Sequence, residues 1–146
     1  MIQHPAFAAE PWALRETELD LDRLAQTESV FALANGHIGL RGNLDEGEPN
    51  GLPGTYLAGV YEVRPLPYAE PAYGNPEAGQ TIINVTNGKI IRLLVEDEPF
   101  DIRYGELRSH ERVLDLRAGV LRRALEWLSP TGRSVRIASK IGRAHV

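Results

Sequence analysis

Glycine and proline recur along the whole of this 146-residue chain, 14 and 10 of them, with short runs rich in Val, Ile, Leu and Tyr between. Strand-sized apolar runs bounded by turn formers predict an all-β fold, a sandwich or a barrel with antiparallel pairing. The clearest unit is "TIINVTNGKIIRLLVE". Ile83 and Val85 alternate with Asn84 and Thr86, and beyond Asn87-Gly88 the residues Ile91, Leu93 and Val95 alternate with Arg92. Asn-Gly takes positive φ readily at both centres of a type I′ turn, which matches strand twist, so a hairpin is expected there. "EDEPFDIRYG" follows as a turn and a short strand, with Glu96-Asp97-Glu98 as a solvated turn. "EWLSPTGRSVRIAS" predicts a second hairpin around Pro130 to Arg133, with Val135 and Ile137 on one face and Arg136 on the other. In "GVLRRALEW", Leu121, Leu125 and Leu128 suit a helical face as well as a sheet. It is read as a strand because it runs straight into that hairpin.

"PLPYAEPAYGNPEAG", residues 65–79, reads as a loop, since Pro65, Pro67, Pro71 and Pro76 cannot donate to a central ladder. A loop of this length is either a surface excursion or a segment that covers a partner surface. A formal charge of -4 argues against a nucleic-acid groove, which carries a basic excess. The absence of cysteine excludes disulfides and thiolate zinc sites and accords with a cytoplasmic location. "MIQHPAFAAEPWALRE" lacks the basic head and apolar core of a signal peptide, and no segment has the apolar length of a membrane helix. The last six residues, "IGRAHV", are what one frame of a common sequencing adapter encodes. They are read as a non-native tail, with residues 1–10 as an N-terminal arm and 11–140 as part of one β-sandwich domain.

The chemical readings centre on "TESVFALANGHIGLRGN", where Gly36, Gly39 and Gly42 are evenly spaced. The spacing is neither the dinucleotide G-x-G-x-x-G nor a P-loop ending in Gly-Lys-Ser/Thr. The glycines are expected to allow positive φ, a bulge or a close backbone approach. His4, His37, His110 and His145 are scattered, and no His-x-x-x-His pair exists, so no metal site is expected. Asp45, Glu46, Glu48, Glu96, Asp97, Glu98, Asp101 and Glu106 supply carboxylates of the kind glycoside chemistry uses, but sequence does not pair them. Trp12 and Trp127 could stack on a sugar; core packing is the expected role of both. Arg41, between two glycines, has room to pair with an acid or a carbonyl as scaffold, or to stand solvated on a strand.

The order of motifs carries a resemblance. "PWALRETELD", "TESVFALANGHIGLRGNLDEG", "GTYLAGVYE", "GKIIRLLVEDEPFDI", "ERVLDLRAGVLRRALEW" and "SPTGRSVRIAS" together resemble the N-terminal region of glycoside hydrolase family 65. Glu28, Ser29, Phe31, Asn35, Gly36, Gly39, Arg41 and Gly42 match one family stretch, and Leu114, Asp115, Gly119, Leu121 and Arg123 match another. The resemblance implies an antiparallel β-sandwich, the first part of a galactose-mutarotase-like super-sandwich, ending before the catalytic (α/α) barrel. Asn35, Gly36, Gly39, Arg41 and Gly42 become a structural motif, with no catalytic residue in this chain. The implied parent is an inverting phosphorylase of an α-glucosidic disaccharide such as maltose, trehalose or kojibiose, or a related α-glucoside hydrolase. Its co-substrate is inorganic phosphate, and no cofactor or metal is needed. The implied partners are its own downstream catalytic domain and a second copy in a homodimer, with no nucleic acid and no membrane. A stand-alone carbohydrate-binding sandwich is the alternative.

Overall fold

The computed structural model describes residues 7–46, 51–68, 70 and 72–142. His4, Glu48, His145, residues 1–6 of the arm and residues 143–146 of the expected tail lie outside them. In chain order the elements are β1 (Phe7–Glu10), β2 (Ala13–Glu16), a 3₁₀ turn (Leu21–Arg23) leading into helix α1 (Leu24–Val30), β3 (Leu33–Ala34) and β4 (Ile38–Leu40). Then come β5 (Thr55–Pro65), β6 (Ala78–Asn84), β7 (Leu94–Val95), β8 (Glu98–Pro99), β9 (Glu106–Asp115), β10 (Val120–Leu128) and β11 (Ser134–Gly142). The fold is an all-β sandwich built of antiparallel sheets with one short helix.

The frame is a five-stranded sheet in the order β1-β2-β9-β10-β11. Its two long hairpins close on local signals. Asp115 Oδ1 accepts from the amides of Arg117 and Ala118, and Gly119 takes φ 62°, so β9 turns into β10. At the next turn Gly132 lies at φ 88° and Ser129 and Arg133 close the backbone, the hairpin expected from Pro130 to Arg133. "GVLRRALEW" is indeed a strand, β10, and in β11 Val135 and Ile137 turn inward while Arg136 is exposed.

One face of this sheet is covered by α1 and by irregular segments. Leu24, Leu44, Phe100, Ile102, Leu125 and Trp127 form one apolar cluster; Phe31, Leu114 and Leu121 form a second. The helix presents Leu24, Thr27, Glu28 and, one residue past its end, Phe31 to this core, an i, i+3, i+4, i+7 stripe. A four-stranded sheet in the order β3-β4-β5-β6 completes the layers, and residues 66–77 are the long loop joining β5 to β6.

Two expectations are corrected. Asn87-Gly88 is not a hairpin. Strand β6 stops at Asn84, whose side chain bonds the Thr55 amide and the Pro53 carbonyl, offering the neighbouring chain what a further strand residue would. Asn87 Oδ1 then accepts from the Lys89 amide, and Lys89 turns inward to a buried position. The small hairpin in this region is β7–β8, one turn later, with Glu96 at φ 58° in the solvated acidic turn. The second correction concerns Trp12. Trp127 is wholly buried, with its indole N–H donated to the Tyr104 carbonyl, but Trp12 is 57% exposed. It sits at φ 69° in the β1–β2 turn, beneath the guanidinium of Arg117 at 5.1 Å.

Candidate functional site

Strand registry places four side chains in one row across the buried face of the large sheet. Glu16 on β2 pairs with Arg112 on β9, Arg112 with Arg123 on β10, and Arg123 with Ser139 on β11. The rows on either side are Leu14, Leu114, Leu121, Ile141 and His110, Leu125, Ile137. A charged row thus crosses an otherwise apolar surface, and alternation along each strand forces it there.

The glycine-rich stretch lies over this row. Its three glycines do three different things. Gly36 takes φ 89° in the β3–β4 turn, where Asn35 Oδ1 accepts from the amides of His37 and Ile38. Gly39 lies within β4, and a Cβ there would have ordinary contacts with Ala34 and Tyr56 at 3.9 and 4.0 Å. Gly42 is a close approach: a Cβ would lie 2.5 Å from Phe31 Cβ and 2.8 Å from its carbonyl oxygen. Its amide donates to Glu28 O at 2.7 Å and its carbonyl accepts from Arg112 Nη1 at 2.7 Å. Arg41, between them, donates to Ala25 O at 2.7 Å and has Glu28 Oε2 at 3.7 Å, so it ties the stretch to α1. His37 is an exposed turn residue.

The charges beneath are matched. Arg112 bonds Glu16 Oε2 at 2.5 Å and Thr27 Oγ1 at 3.0 Å, with its guanidinium 4.6 Å from the Phe31 ring centre. Arg123 makes a two-pronged bond to Glu46. Ser139 donates to Asp45, and Lys89 donates to the carbonyls of Arg41 and Asn43 with Asp45 Oδ1 at 3.8 Å. Four carboxylates (Glu16, Glu28, Asp45, Glu46) therefore each lie beside one of four cations (Arg112, Arg41, Lys89, Arg123).

Burial pulls His110 below its ordinary value; the Glu16 carboxylate at 3.0 Å only partly opposes this. The ring is neutral and donates from Nε2 to Glu16, while buried Nδ1 has no partner. Burial pushes Glu16 upward, but hydrogen bonds from His110 and Arg112 outweigh it and hold the carboxyl below the usual range. Burial brings Lys89 down to about 8, against the attraction of Asp45. Glu16 ionised and His110 neutral is the reverse of a carboxylic acid poised to give a proton. Among the described residues no three His, Asp or Glu side chains are grouped to hold a metal.

Asn35, Gly36, Gly39, Arg41 and Gly42 form one connected turn and strap, not a constellation around a cavity. Sequence reasoning named Asp45 and Glu46, and His110 as one of four scattered histidines, but missed Glu16, Lys89 and Arg112. The signal available was period-two alternation: His110 and Arg112 fall on the same parity of β9 as Leu114, the core side.

Comparison with known proteins agrees with the motif order. Residues 14–141 match the family model for the glycosyl hydrolase family 65 N-terminal domain. The chain is 70% identical over 139 residues to an uncharacterized glycosyl hydrolase of Mycobacterium tuberculosis, which spans 95% of this chain and 18% of that protein. It is 41% identical over 140 residues to the alpha,alpha-trehalose phosphorylase of Thermoanaerobacter brockii, covering 93% of this chain and 18% of that enzyme. A solved structure provisionally named a kojibiose phosphorylase, from human microbiome, superimposes with a TM-score of 0.76 at 32% identity, over 91% of this chain and 18% of the other. The chain thus spans less than a fifth of the length of these relatives. Among the described residues no helix is long and apolar enough to cross a membrane.

Proposed function

This chain belongs to glycosyl hydrolase family 65 and carries its N-terminal domain, and from that premise we propose that it is the front β-sandwich of an inverting disaccharide phosphorylase, a scaffold that makes no bond itself. The observation that carries this reading is the matched network. Every carboxylate under the glycine-rich stretch lies against a cation, and the one with a resolved shift, Glu16, is held ionised. A general acid for glycoside cleavage needs the opposite environment. The motif residues fasten helix, strap and sheet to one another, as a supporting domain requires.

The reaction we assign to the whole protein needs one carboxylic acid, on a downstream (α/α) barrel. A phosphate oxygen forms a bond to C1 of the α-linked glucosyl unit from the face opposite the leaving sugar. The C1–O bond breaks, and the acid gives its proton to the departing oxygen. Inversion converts the α linkage into β-glucose 1-phosphate, and phosphate takes the place of a base-activated water. Trehalose is the first substrate to try, given the relative at 41% identity. The setting we assign is the cytoplasm, with the complete enzyme a homodimer.

The test supplies the full-length protein with trehalose, kojibiose, nigerose or maltose and inorganic phosphate. The expected outcome is phosphate-dependent release of β-glucose 1-phosphate, with none above a blank from this chain alone. Turnover by this chain, or phosphate-independent release of glucose by the full-length protein, overturns the reading. Sugar binding with no turnover by the full-length protein supports instead a carbohydrate-binding sandwich.

A further inference from the structure

Strands β5 and β6 run on past the rest of the small sheet as an arm. Strand β4 pairs with β5 only as far as Leu57, opposite Ile38. A register shift follows, with Gly59 at φ 84°, and from Tyr61 to Pro65 the only strand paired with β5 among the described residues is β6. Residues directly opposite in an antiparallel pair share a face. Tyr61 lies opposite Ile82, Val63 opposite Gln80 and Pro65 opposite Ala78. That face is apolar but for Gln80, and it is bare: Tyr61 is 51% exposed, Val63 62% and Ile82 43%. The other face is already furnished. Glu62 and Arg64 form an ion pair there, and Leu66 turns back against Gly79.

A two-stranded ribbon is only marginally stable in water and needs a further layer to pack on. Its apolar face is the side that gains from being covered. Two occupants compete for it, a second copy of this chain and the remainder of the full-length protein. Tyr61, Val63, Pro65, Ala78 and Ile82 cannot supply the area of about 800 Å² that each partner buries in a stable complex of separate chains. A domain on the same polypeptide needs less, because its tether holds it at a high effective concentration. The relatives carry such a remainder, since this chain spans 18% of the length of each. The geometry favours it too. Ile141 and Gly142, at the end of β11, line one shallow cavity with Ile38 and Leu40 of β4, the strand beside which β5 begins. A polypeptide continuing from Gly142 therefore starts beside the root of the arm.

We propose that the apolar face of the β5–β6 arm, formed by Tyr61, Val63, Pro65, Ala78 and Ile82, is the docking surface for the catalytic domain downstream in the full-length protein. The partner surface it fits is an apolar patch of that domain, while Glu62 and Arg64 on the opposite face stay in water. This docking rests on the reading of the chain as the front of a longer enzyme, but not on its reaction or its sugar.

The experiment is amide hydrogen exchange, read by mass spectrometry, on the full-length protein and on this chain. The arm is expected to exchange about 10-fold more slowly, or slower still, in the full-length protein. Val63→Lys and Ile82→Lys, both at exposed positions of the apolar face, should restore fast exchange in the full-length protein. Thr81→Lys, on the polar face opposite Glu62, should not. Equal exchange in the two proteins, protection that survives both apolar-face variants, or protection lost equally in Thr81→Lys overturns the proposal. Protection that develops in this chain alone as its concentration is raised assigns the face to a second copy and overturns it as well. A protected arm in a full-length protein without phosphorolysis would sink the activity and leave the docking. An active enzyme with an unprotected arm would do the reverse.

Discussion

Arg112 and Arg123 are direct cross-strand partners on the buried face of the large sheet, with side chains 1% and 6% exposed. Like charges in that position repel. They coexist because each is bound to its own carboxylate, Glu16 and Glu46, which reach the sheet from different segments. The row behaves as two neutral units side by side, and loss of one acid turns a neighbour into a buried, unmatched cation.

Arg123→Ala should therefore cost about 3–5 kcal/mol, because Glu46 is left buried and unpaired. Replacing both partners with methionine should recover most of that loss, since it removes both desolvated charges. Urea unfolding of the two single variants and the double variant gives the coupling directly. Additive losses would show that the pair is not a unit.

Acid should weaken the fold in two stages. The folded value of His110 lies below 6.5, so below that pH the unfolded chain takes up a proton the folded chain refuses, and stability falls. The folded value of Glu16 lies below 4.5, so its contribution is present above 4.5 and is lost as pH falls through the folded value. His110→Gln should flatten the first stage and leave the second. A wild-type unfolding midpoint that stays level below pH 6.5 contradicts this.

Alkali should do the reverse. Lys89 titrates at about 8 when folded against 10.5 when free. Between those values the unfolded chain holds the extra proton, so stability contributed by this group rises with pH, by on the order of 3 kcal/mol in all. Lys89→Met removes the titrating group and should abolish the rise. The comparison of slopes, not of absolute midpoints, is the measurement.

The three evenly spaced glycines should differ in tolerance. Gly42→Ala forces a methyl against Phe31 Cβ and its carbonyl and should cost roughly 2–3 kcal/mol. Gly36→Ala, at φ 89° in open space, should cost about 1–2 kcal/mol of left-handed strain. Gly39→Ala has ordinary contacts and should lie within about 0.5 kcal/mol. Thermal unfolding of the three variants ranks them, and a Gly39 variant worse than the Gly42 variant would refute the geometric account.

The large strands were legible because β11 alternates Val135 and Ile137 with Arg136, and β10, whose leucines suit a helix equally well, runs straight into the glycine turn that precedes β11. Helix α1 was not. Two of its four inward positions, Thr27 and Glu28, are polar, so the 3.6-residue period never shows as an apolar stripe. Asn87-Gly88 has the composition of a hairpin, yet the tertiary contacts of Asn84 and Lys89 override local preference there. The buried charges were hidden for a related reason: a charge facing inward looks like a charge facing outward until its partner, often more than 70 residues away, is known.

Those separations also set the timing of assembly. Glu16 meets Arg112 across 96 residues, Asp45 meets Ser139 across 94, and Glu46 meets Arg123 across 77. As the chain leaves the ribosome, the glycine-rich stretch and its acids emerge long before the basic residues on β9 and β10 that neutralise them. Until then they stay hydrated, and the strap has nothing to close on. Loop-closure entropy at such distances makes docking a late and slow event. The strap can therefore latch only after β9, β10 and β11 have been made, and the first third of the domain waits on its last third.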